Sequence, residues 1–65
     1  MKLNRKALEI AMAKAELSVA DTAEASGVGL SSISKAINGK TALRRASIGK
    51  LAKALGVEVE DLIEE

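Results

Sequence analysis

Ser32 and Lys35 stand at the S-x-x-K spacing of acylating-serine enzymes. That chemistry needs an oxyanion hole and further motifs on a large scaffold, and a chain of 65 residues cannot supply them. Gly27-Val28-Gly29 is a fragment of a phosphate-binding glycine loop. The preceding strand and the third glycine that make such a loop work are missing. Glu60-Asp61 and Glu64-Glu65 pair carboxylates, but on a short terminal segment with no cleft to desolvate them, so they read as a solvated face. Cysteine and histidine are both absent, which removes disulfides, thiol and Ser-His nucleophiles, and zinc-finger ligation together. The sequence therefore points away from an enzyme, and no metal, cofactor or small-molecule ligand is expected.

What remains is recognition by charge and hydrogen bonding. The net charge is only +1, but it is divided. Residues 1–57 carry all ten lysines and arginines against four acids, while residues 58–65 carry five acids and no base. A body at +6 suits a polyanionic partner, with the acidic end as a solubilising tail. The longest apolar run is Ile10–Ala13, far short of the ~20 residues that span a bilayer, so no membrane association is expected. Lys2 and Arg5 precede no continuous apolar region and give no secretion signal; the cytoplasm is the expected compartment. Met1 and the acidic end favour a complete short chain over a piece of a longer regulator.

The elements that must position these groups are helical. Hydrophobic residues make up 48% of the chain without one aromatic, and proline is absent. Alanine and leucine favour helix, and only five glycines interrupt it. The pattern predicts a single all-α domain over residues 1–65, with five helices. The first spans about Leu3 to Ala15, with one stripe of Leu3, Ala7, Ile10, Ala11 and Lys14 and a second of Leu8, Met12 and Ala15, so that it packs on two sides. Ser18 and Asp21 have capping-box spacing and open the second helix, which runs to about Ala25 and stops at Gly27. The third begins after Gly29, buries Ile33 and Ile37, and leaves through Asn38-Gly39. The fourth lies within Arg44–Leu55, with Ile48, Leu51, Ala52 and Leu55 on its apolar face, and ends at Gly56. A short fifth helix over about Val59–Glu64 returns Leu62 and Ile63 to the core.

Between Ser18 and Gly39, two short helices are joined by Ala25-Ser26-Gly27-Val28-Gly29. Small Ala23 permits close approach, Val28 plugs the turn and Ile33 anchors the second helix on the first. This arrangement projects the start of the second helix away from the body. These residues, with Ser31-Ser32-Ile33-Ser34, Asn38-Gly39-Lys40, Leu51-Ala52-Lys53-Ala54-Leu55-Gly56-Val57 and Asp61-Leu62, resemble the Cro and lambda-type phage repressor family, the XRE-like helix-turn-helix proteins. The chain departs from that pattern in three places. Thr22 stands where leucine is usual, Gly29 where a Ser or Thr cap is common, and Met12 and Ile37 where the family often pairs arginine with glutamate.

The resemblance implies a double-stranded DNA-binding transcriptional regulator, most simply a repressor, reading the major groove with residues 30–38 as a dimer on a pseudo-palindromic operator. The expected base-reading set is Leu30, Ser31, Ser32, Ser34 and Lys35. Lysine can donate to guanine, serine can pair with several bases, and leucine can meet a thymine methyl. Ser18 and Val19 at a helix start, and Asn38, Lys40, Thr41, Arg44 and Arg45 past the reading helix, are expected at phosphates. Relatives associate around their last two helices, which assigns Leu43, Val57, Val59 and Ile63 to a homodimer contact. That patch is small and acid-rimmed, so the dimer is expected to be weak and favoured on DNA. The alternative is a protein-interaction module of the same fold, an antitoxin or adaptor without its own DNA specificity.

Overall fold

A computed structural model describes residues 2–64; Met1 and Glu65, the latter one of the five tail acids, lie outside the described residues. Among the described residues four α-helices form: α1 (Arg5–Ala15), α2 (Val19–Ser26), α3 (Leu30–Ile37) and α4 (Arg45–Leu55). A 3-10 turn, Val59–Leu62, follows α4. Strand β1 (Lys2–Leu3) pairs antiparallel with β2 (Ile63–Glu64), placing Lys2 opposite Glu64 and Leu3 opposite Ile63.

The all-α expectation holds for four helices; the fifth is corrected to the 3-10 turn and a strand. The turn is tied locally, with the Asp61 N–H donating to the Glu58 carbonyl at 3.0 Å and the Glu58 N–H to Asp61 Oδ2 at 3.1 Å. Leu62 must then reach the core, and its carbonyl accepts from the Asn4 N–H at 2.8 Å. That bond draws β-branched Ile63 into an extended pairing, a conformation its side chain favours. Leu3 is likewise in a strand and not in the first helix. Asn4 is the N-cap of α1, its Oδ1 accepting from the Ala7 N–H at 3.0 Å, so helix cannot extend back through Leu3.

The core is built from Leu8 of α1, Ile33 of α3, Ile48 and Leu51 of α4 and Leu62, all fully buried. Ala11, Ala36 and Ala52 are buried among them and let the helices approach closely. On α1 the buried set is Leu8, Ala11 and Met12, with Ala15 partly buried. One i, i+3, i+4, i+7 face therefore replaces the expected two-sided packing, and Ile10 is left 48% exposed. On α3 the buried partner of Ile33 is Ala36, while Ile37 is only half-buried. The apolar face of α4 is as expected. Thr22 is fully buried where the family's leucine would sit, and its Oγ1 donates to the Ser18 carbonyl at 2.8 Å, so no polar atom is stranded.

Candidate nucleic-acid interface

The start of α2 is fixed by its own sequence. Ser18 Oγ accepts from the Asp21 N–H at 3.1 Å, and Asp21 Oδ2 accepts from the Ser18 N–H at 3.4 Å, which together form the capping box. The Ser18 hydroxyl is thus already engaged at the cap, and Asp21 sets a carboxylate beside this helix start. The groups left to offer an anion there are the backbone N–H donors of Val19 and Ala20. Ser18 is exposed and Val19 half-buried.

The turn into α3 rests on a residue that spacing alone did not single out. Ser26 Oγ donates to the Thr22 carbonyl at 2.7 Å and accepts from the Val28 N–H at 3.2 Å. It closes the end of α2 while Gly27 takes a left-handed φ of 76°. Val28 is buried as the plug of the turn, and Gly29 opens α3 without a side-chain cap.

Along α3, Ile33 and Ala36 face the core, and Leu30, Ser31, Ser32, Ser34 and Lys35 are all exposed. At about 100° per residue, Leu30, Ser31, Ser34 and Lys35 lie within an arc of about 140°, while Ser32 falls about 60° beyond it. The Ser32 Oγ sits back over the helix start, 3.6 Å from where a Cβ on Gly29 would lie. Leu30, 51% exposed, is an apolar side chain held in solvent at the first position of the helix.

The end of α3 is a Schellman motif. The Lys40 N–H donates to the Lys35 carbonyl at 2.8 Å and the Gly39 N–H to the Ala36 carbonyl at 3.1 Å, with Gly39 at φ 73°. Lys40 is thereby tied to the same helix end as Lys35. Asn38, Lys40, Thr41, Arg44 and Arg45 are exposed. Leu43 is buried and pins the intervening loop to the core. Its expected place as an exposed dimer contact is therefore corrected: a small domain needs that side chain to close its own interior. Val57, Val59 and Ile63 are half-buried, packed against the core from its edge.

Arg5 was not singled out for this region by the sequence. Its Nη1 donates to the Ile37 carbonyl at 3.2 Å, which sets a cation at the C-terminal end of α3. The partners are far apart in the chain, and no local pattern announces them.

A family model described as Helix-turn-helix matches residues 8–62, from the buried face of α1 to the 3-10 turn. No curated protein and no solved structure gave a match. With most of its length matched and the two short helices and turn in place, the chain belongs to the helix-turn-helix family of DNA-binding domains, in its Cro and lambda-repressor (XRE) branch.

Proposed function

We propose that this protein is a sequence-specific transcriptional repressor that reads the major groove of operator DNA with α3, two copies binding a pseudo-palindromic site. The observation that carries the reading is the exposed start of α3. Leu30 stands half in solvent beside Ser31, with Ser34 and Lys35 one turn on. Leu30 keeps about half its surface in solvent, and a thymine methyl is the apolar feature of a major groove that a leucine at a helix start fits. Lys35 supplies the donor for a guanine edge on the same arc. Lys40, Thr41, Arg44 and Arg45, with Asn38, hold the flanking backbone and carry no sequence information themselves.

Selection from a pool of random duplexes tests this. The expected result is an enriched motif with two inverted half-sites about one helical turn apart. Binding without any enriched motif at low salt would contradict sequence-specific reading and leave the interaction-module alternative.

A further inference from the structure

Beside the C-terminal end of α3 lies an open cleft of about 760 Å³, lined by Lys2, Arg5, Gly39, Lys40, Thr41 and Glu64 among others. Three cations line it, two from the N-terminal end of the chain and one from its middle. β1 brings Lys2, the start of α1 brings Arg5, and the Schellman turn after α3 brings Lys40. The Arg5 guanidinium is anchored by one bond from Nη1 to the Ile37 carbonyl. It lies so close to Gly39 that a Cβ there would fall 2.8 Å from Nη1. A guanidinium carries five N–H donors in a rigid fork, so the anchored group still has donors to offer. Among the described residues the acid in the lining is Glu64, directly across the strand pair from Lys2.

We propose that this cleft is a phosphodiester subsite. It extends the DNA-contacting surface from the Lys40–Arg45 loop to the chain's N-terminal strand, and it takes a backbone phosphate on the flank of the half-site. The inference rests on the DNA-reading proposal and adds Lys2 and Arg5 to the phosphate contacts. Arg5 has two roles: it holds the end of α3 and presents the rest of its fork to the phosphate. Glu64 opposes the anion and lowers affinity.

The test uses the duplex recovered from site selection. Affinity is measured for the unaltered protein, Lys2→Gln, Arg5→Gln and Glu64→Gln, with circular dichroism to verify folding. Lys2→Gln and Glu64→Gln change exposed side chains and keep the test open if Arg5→Gln fails to fold. For each lost phosphate contact, affinity relative to the unaltered protein changes by about 3.5-fold between about 50 and about 200 mM salt, and the salt slope becomes shallower by about 0.9. Glu64→Gln binds more tightly than the unaltered protein. Phosphate-ethylation interference should lose its signal at one flanking phosphate in Lys2→Gln and keep it at the others. A parallel titration with inorganic phosphate, read by amide chemical shifts of Gly39 and Lys40, separates the sources of the anion. Saturable binding of free phosphate, with DNA affinity unchanged in Lys2→Gln, would overturn the operator-flank assignment. So would unaltered protein that binds DNA with a steep salt slope while all three variants match it. Loss of DNA binding by the unaltered protein itself would instead overturn the repressor proposal on which this one stands.

Discussion

The Arg5 guanidinium and the Ile37 carbonyl are joined at 3.2 Å, so the first turn of α1 holds the last turn of α3. Related sequences often place an arginine–glutamate pair between these two helices. Here Met12 is buried in the core and Ile37 is half-buried against it, and apolar residues in place of an ion pair are often neutral or stabilising. A cation stands instead at the backbone end of α3, where Arg5 meets a carbonyl that the helix itself leaves unsatisfied.

Gly39→Ala tests how that helix end is held. Gly39 sits at φ 73°, and an L-residue there costs roughly 1–2 kcal/mol. The added Cβ would also meet Arg5 Nη1, but that is the far end of a flexible side chain and can move. Urea denaturation should show about the same loss for Gly39→Ala in the Arg5→Ala background as alone. Full rescue by Arg5→Ala would mean that the clash, and not the backbone, sets the cost.

Gly49→Ala should stabilise the domain. Gly49 lies inside α4, and a Cβ there meets nothing within 4 Å. Alanine removes unfolded-chain entropy and favours helix by about 0.4–1 kcal/mol. A raised urea midpoint at unchanged slope is expected; a lower midpoint would show crowding that the structure does not contain.

Lys35→Ala and Lys40→Ala separate reading from anchoring. Lys35→Ala should cost roughly 1–3 kcal/mol on the preferred site and relax preference at one base pair. Lys40→Ala should weaken all sequences alike and flatten the salt slope by about one per subunit. Site selection with each variant decides it. A motif altered by Lys40→Ala but not by Lys35→Ala would place the reading helix wrongly.

Val59→Glu addresses pairing of two copies. With Leu43 committed to the core, only half-buried Val57, Val59 and Ile63 remain of the expected contact. A patch that small falls below the ~1,200–2,000 Å² of a stable interface. The free protein should sediment as a monomer at micromolar concentration and pair on DNA. Val59→Glu should abolish cooperative filling of two half-sites while single half-site binding persists. A tight dimer without DNA, or cooperativity that survives the change, would put the contact elsewhere.

The parts of this protein that the sequence made legible are those determined by near neighbours. The Ser18–Asp21 capping box, the glycine exits at Gly27, Gly39 and Gly56, and the α4 face from Ile48 to Leu55 all follow from residues within a turn or two of each other. What escaped depends on distant parts of the chain meeting. The strand pairing of Leu3 with Ile63 displaced helix at both ends, and neither segment alone encodes it. Ile10 fits a helical stripe by spacing but lies outside the face that α4 and the final turn cover. Arg5 reaches Ile37 only once α1 and α3 are docked. Of the candidate interface, the set on α3 was implied by the resemblance, while the expected burial of Ile37 beside Ile33 gave way to Ala36; the Lys2–Arg5–Lys40 cleft was not legible, because it assembles from the N-terminal strand and helix start and the turn after α3.

If a basic surface around α3 binds the DNA backbone while α3 reads the groove, a salt titration on the selected duplex must show it. For a bound dimer neutralising about 6–10 phosphates, log affinity should fall linearly with log salt at a slope between roughly −5 and −9. A slope near zero would contradict DNA binding by this surface.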